Sequence, residues 1–150
     1  CAAPAAVTPM SSRRPRTVRA AIAVIERGGR FLISRRRQTD HLGGYWEFPG
    51  GKRRSGESWE RCIRREVREE LGITIRTTAR LASLCFQYPD RTVQLEVFRC
   101  RLVEGSPQPL GCQAIRWASA SSLARLRFPP ADRLLIRRLG RAIITRDRRA

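Results

Sequence analysis

From Phe48 to Ile73 the chain reads FPGGKRRSGESWERCIRREVREELGI. Pro49, Gly50 and Gly51 break regular structure and let the backbone turn sharply. A helix must begin almost at once, because Ser58 can cap it and Trp59, Cys62, Ile63, Val67 and Leu71 recur at helical spacing. Gly72 suits its stop. On such a helix Glu66, Glu69 and Glu70 lie together on the side away from Ile63, Val67 and Leu71, and three carboxylates within five residues repel one another. Compensation comes either from neighbours such as Arg65 and Arg68, giving a solvated, salt-bridged face, or from a hard divalent cation that prefers oxygen ligands. The glycine loop favours the cation, since it can bring backbone carbonyl and N–H groups close to a metal–phosphate complex.

Around this stretch the chain alternates in a way that predicts a mixed sheet packed between helices. TVRAAIAVIE (17–26) and RFLIS (30–34) read as strands joined by a Gly28-Gly29 turn. ITIRTTARLASLCFQY (73–88) and TVQLEVFRCRLVE (92–104) read as long strands joined at Pro89 to Arg91, and AIRWA (114–118) as a short one. SASSLARLR (119–127) suggests a brief helix, FPPAD (128–132) a stiff loop, and RLLIRRLGRAIIT (133–145) a closing helix.

At 150 residues one domain is expected, from 17 to 147. Residues 1–16 read as a disordered leader, although an Arg- and Ser-rich transit peptide would look similar and Met10 offers another start; 148–150 read as a frayed basic tail. The longest apolar run, Ala20 to Ile25, is too short to span a bilayer, so no membrane partner is expected. The net charge of +18 invites a nucleic-acid reading. Thirty of the 31 basic residues are arginines scattered over the whole length, which points to composition rather than a dedicated surface. Five cysteines without a C-x-x-C pair fit reduced thiols and a cytoplasmic protein, with Cys62, Cys85 and Cys100 packing as small hydrophobes.

The spacing from Gly51 through Glu57 to Arg65-Glu66-Val67, Glu69-Glu70 and Gly72-Ile73 meets every fixed position of G-x5-E-x7-R-E-U-x-E-E-x-G-U, with U a bulky aliphatic. The chain therefore resembles the Nudix hydrolases. WEFPGGK (46–52), YPDR (88–91) and FPPAD (128–132) are similar to motifs of the MutT branch, in the same order. The resemblance implies an α/β (α+β) Nudix fold, a mixed β-sheet in an α/β/α sandwich. It also implies magnesium-dependent hydrolysis of (deoxy)nucleoside triphosphates to a monophosphate and pyrophosphate, with manganese as a possible substitute. Branch members clear 8-oxo-dGTP from the nucleotide pool, and close relatives prefer CTP or modified dCTP.

Carried over by motif, Gly50 (through its carbonyl), Glu66, Glu69 and Glu70 would be metal ligands, Glu57 would support the box, and Arg65 would orient a box glutamate. Arg36, Phe48, Lys52, Tyr88 and Asp132 would meet the substrate, with Trp46 and Phe48 serving either core packing or base stacking. Two departures stand out. Asp132 occupies the place of a base-reading asparagine: ionised it only accepts, whereas a protonated Asp offers a donor and an acceptor, and it could instead merely cap the last helix. Gly111 occupies the place of a loop glutamate proposed as general base, leaving Glu70, Glu57 and, more remotely, Glu104 as candidates. His41, the sole histidine, reads as a solvated loop residue. The rival functions are hydrolysis of another nucleoside diphosphate derivative such as ADP-ribose, and a weakly catalytic module that binds nucleic acid through its arginines.

Overall fold

The computed structural model describes residues 14–147, with side chains up to residue 140. The expected leader and tail therefore fall largely outside the described residues; Arg16 is already in the first strand. In chain order the elements are β1 (Arg16–Arg27), β2 (Arg30–Arg35), β3 (Trp46–Glu47), β4 (Gly50–Lys52), α1 (Trp59–Leu71), β5 (Thr74–Gln87), β6 (Arg91–Glu104), β7 (Ala114–Ser119), α2 (Ala120–Leu123) and α3 (Pro130–Asp147).

The sheet is mixed. Its strand path is β3-β2-β1-β6-β5, with β4 paired to β1 and β7 to β2. β1 runs parallel to β6, from Arg16 opposite Arg91 to Ile25 opposite Cys100, and every other pairing is antiparallel. Because side chains alternate across a strand, β1 feeds two cores. Ala21, Ala23 and Ile25 meet Cys62, Ile63, Val67 and Leu71 of α1 on one face. Val24 meets Phe128, Leu135 and Leu139 from the α3 side on the other. The result is the expected three-layer sandwich.

α1 is capped as its sequence predicts. The Ser58 side chain accepts from Arg61 N–H, and Gly72 ends the helix in the left-handed region at φ 68°. Burying each large apolar residue of the stripe contributes roughly 1.5–3 kcal/mol, whereas a like-charge i,i+4 pair such as Glu66 and Glu70 costs a few tenths. Packing therefore decides that the helix forms despite its carboxylates.

Four readings change. Residues 46–52 hold two short strands around Pro49 rather than an irregular loop. α3 begins at Pro130, because a proline loses nothing at a first helical position, where its missing N–H would be unpaired anyway. Asp132 is thus in a helix and not a loop. α2 stops at Leu123, and the following segment is used instead to bond β3 through Arg127 O, which accepts from Trp46 N–H at 2.8 Å. Cys85 is exposed, while Cys62, Cys100 and Cys112 are the buried thiols.

Candidate active site

β4 brings the glycine turn across β1, Gly50 facing Ile22 and Gly51 facing Ala21. Both glycines are there for want of room. A Cβ on Gly50 would collide with the Ala21 carbonyl oxygen, and one on Gly51 with the Glu66 carboxylate. Glu66 therefore rests directly on the loop backbone.

Arg65 ties the box together. Its Nε donates to Glu57 Oε1 at 2.6 Å and its Nη2 to Glu57 Oε2 at 3.0 Å, a bidentate pair. Nη1 donates to Glu66 Oε1 at 2.8 Å and to Glu69 Oε2 at 3.3 Å, and Nη2 also reaches the Lys52 carbonyl. Hydrogen bonding from Arg65 takes the Glu57 carboxyl down to about 2, against the effect of burial. Glu69 is half-exposed and is also approached by Arg54 at 3.6 Å.

Glu70 faces the opposite environment. Burial pushes its carboxyl up to about 8, and the negative charges of Glu47 and Glu66 add to this while the Gly50 N–H opposes it. Glu47 was not singled out in the sequence. It lies in the two-residue β3, accepts from Arg36 Nη1 at 2.7 Å, and has its own carboxyl raised by burial. The only advance signal was its place between Trp46 and Phe48. Arg36 is held further by the His41 carbonyl, which accepts from Nε at 2.6 Å; the histidine side chain itself is exposed.

Asp132 closes the other side. It is 8% exposed, and its Oδ1 accepts from the Phe48 N–H at 3.2 Å. Burial pushes its carboxyl up to about 7; the Phe48 N–H opposes this and the Glu47 charge adds to it. The Phe48 ring is in the core, stacked on Phe128 with centroids 5.8 Å apart, so Phe48 offers the site its backbone and not a stacking face. Of the two readings of Phe48, core packing is the one its surroundings support.

Arg36, Glu47, Glu57, Arg65, Glu66, Glu69, Glu70 and Asp132 thus form one connected group around the glycine turn. Lys52 joins it through its carbonyl, its side chain being exposed. Tyr88 does not join it. Its ring lies at the β5–β6 turn under Arg91, which faces Arg16, whereas Gly50 faces Ile22; six strand positions separate them, about 20 Å. Glu104 is exposed opposite Thr74 at the far end of β6. Gly111 lies against Glu70: its N–H donates to the Glu70 carbonyl at 3.0 Å, and a Cβ there would sit 3.2 Å from Glu70 Cα.

The carboxylates and the Gly50 carbonyl offer oxygen donors, which suit magnesium or manganese better than a soft metal. As the side chains stand, no three His, Cys, Asp or Glu among the described residues converge tightly enough to hold an ion. Glu66 and Glu69 are turned to Arg65, while the half-buried Glu70 faces Glu47 and Glu66, with the Arg36 charge too weak to offset its burial. A divalent cation would supply the charge that this group lacks, so the donor set fits one.

The NUDIX domain model matches residues 20–138. The chain is similar to the 8-oxo-dGTP diphosphatase of Escherichia coli strain K12, 36% identical over 110 residues that cover 73% of this chain and 85% of that protein. It is also similar to the CTP pyrophosphohydrolase of the same strain, 34% identical over 110 residues, covering 73% and 82%. The solution structure of the E. coli ORF135 protein matches with a TM-score of 0.77 at 29% identity, over 93% of this chain and 98% of that one.

Proposed function

The chain belongs to the NUDIX domain family, and on that premise we propose that it hydrolyses (deoxy)nucleoside triphosphates to a nucleoside monophosphate and pyrophosphate. The observation that carries this reading is the half-buried Glu70 beside Glu66 and Glu47 at the glycine turn, with Asp132 and the Phe48 N–H facing the same group. Modified nucleotides, 8-oxo-dGTP above all, are the substrates, and the setting is the cytoplasmic nucleotide pool.

Glu66, Glu69, Glu70 and the Gly50 carbonyl would hold magnesium, with manganese as substitute. A bound divalent cation supplies neutralisation of the charge that develops on the phosphate oxygens and makes a nearby water more acidic. The remaining work belongs to the chain. Arg65 holds Glu66 and Glu69 in place and keeps Glu57 ionised. Of the two near candidates for general base, Glu57 is too weak, its carboxyl held near 2 by a bidentate arginine. Glu70, which lies against Gly50 and Glu66 at the turn, is the carboxylate placed to take the proton as water attacks phosphorus and the bridging P–O bond breaks. Arg36 extends toward the same group and is suited to the substrate phosphates.

Asp132 reads the base. With a carboxyl near 7, both of its forms are accessible around neutral pH. The protonated form presents a donor and an acceptor, as an asparagine would, and supports 8-oxo-guanine. The ionised form accepts only, which favours the amino group of cytosine, and the similarity to a CTP pyrophosphohydrolase supports that second reading. The test is kcat/KM for 8-oxo-dGTP, dGTP, dCTP, CTP and ADP-ribose with magnesium at pH 6 and pH 8. We expect triphosphates to be cleaved and the 8-oxo-dGTP to CTP ratio to fall as pH rises. Cleavage of ADP-ribose alone would overturn the assignment.

A further inference from the structure

A cavity of about 640 Å³ opens where the C-terminal end of β1 lies beside β5 and β6, and arginines dominate its described lining. Arg27, Arg76, Arg99 and Arg101 line it, against a single acid, Glu26. It is separate from the catalytic group: Gly50 faces Ile22, and Glu26 is four residues further along β1, about 13 Å. Local strand irregularity shapes it. The β5–β6 register shifts between Thr77 and Ala79, leaving Thr78 as the extra residue, and Arg76 faces Arg101 across the ladder.

Like charges placed directly opposite one another on a sheet are unfavourable. Among the described residues none of the four arginines forms an ion pair with a carboxylate. Arg99 Nε is buried without a hydrogen-bond partner, a position whose cost is relieved when an acceptor arrives. Arg27, at the end of β1, stacks over Trp117 at 4.4 Å.

We propose that this cavity is a second anion site that takes a diphosphate group, either as inorganic pyrophosphate or as the phosphate chain of a nucleoside diphosphate. Four positive charges less one negative leave three, and a diphosphate carries about three negative charges near neutral pH. Guanidinium groups match phosphate oxygens two at a time, and the cavity volume is of the size that holds a nucleotide. A single orthophosphate would leave part of the charge unmatched.

Calorimetric titration of the purified chain in chelator, without divalent metal, tests this with pyrophosphate, ADP, orthophosphate and adenosine as probes. Pyrophosphate should bind at least roughly tenfold more tightly than orthophosphate, and Arg76→Glu with Arg101→Glu should weaken it roughly tenfold or more while triphosphate hydrolysis stays at the wild-type rate. Both arginines are exposed, and the Arg76→Gln, Arg101→Gln pair repeats the test if charge reversal impairs folding. Tighter binding of ADP than of pyrophosphate would identify a nucleotide as the ligand, and the reverse would identify the inorganic ion. The proposal is overturned if pyrophosphate does not bind, if orthophosphate binds as well, or if Arg36→Gln abolishes binding while the Arg76 and Arg101 substitutions leave it unchanged.

Discussion

Arg65 and Asp132 are the residues on which most depends. Replacing Arg65 with Gln removes the fork that grips Glu57 and leaves Glu66 and Glu69 facing each other without their shared cation. Because the stripe beneath is untouched, circular dichroism should be unchanged while kcat falls roughly 100-fold. Asp132 makes a prediction about stability. Its folded carboxyl sits near 7, above its ordinary value, so the native state binds a proton that the unfolded chain releases at lower pH. Stability from this group is present below about pH 4 and is lost as pH rises through 7. Asp132→Asn keeps an acceptor for the Phe48 N–H and removes the charge; it should raise the melting temperature at pH 8 and leave it nearly unchanged at pH 4. An equal shift at both would show that burial is not what holds the proton. That Arg65 and the box glutamates share one helix could be read beforehand because their spacing is local. Glu47 could not be read so, since its significance arises only when β3 lays it beside Arg36 and Glu70.

At the scale of elements, α1 and its two ends set the geometry. Gly72 has φ 68°, and a Cβ there would also come within 3.1 Å of Leu110 Cδ1. Gly72→Ala should therefore cost about 1 kcal/mol or more in denaturant unfolding, combining left-handed strain with displacement of the loop that packs on Glu70. A change well below this would mean that the helix end tolerates rearrangement. The long strands and α1 could be read from periodicity, and their ends agree with the structure within about two residues. β3 and β4 were missed because two- and three-residue strands carry no period, and their pairing is decided by β2 and β1. The start of α3 is not legible in the sequence because two consecutive prolines read as a loop, although the second is well placed to open a helix.

For the whole molecule, the sheet separates two chemistries along one strand. Near its middle β1 faces the glycine turn and the carboxylates, and at its C-terminal end it borders the arginine cavity. No helix among the described residues is long and apolar enough to cross a membrane. The net charge of +18 reads as composition until four of its arginines gather unpaired around one cavity, a grouping that only the pairing of β1, β6 and β5 creates. The reaction itself is read from its products. Phosphorus-31 NMR of the products from 8-oxo-dGTP and CTP, with magnesium and with either the native chain or Glu70→Gln, tests it most directly. A pyrophosphate signal matched one to one by nucleoside monophosphate is expected, with at least a roughly 100-fold slower appearance in the variant. Orthophosphate with a nucleoside diphosphate, or pyrophosphate released equally fast by Glu70→Gln, would contradict it.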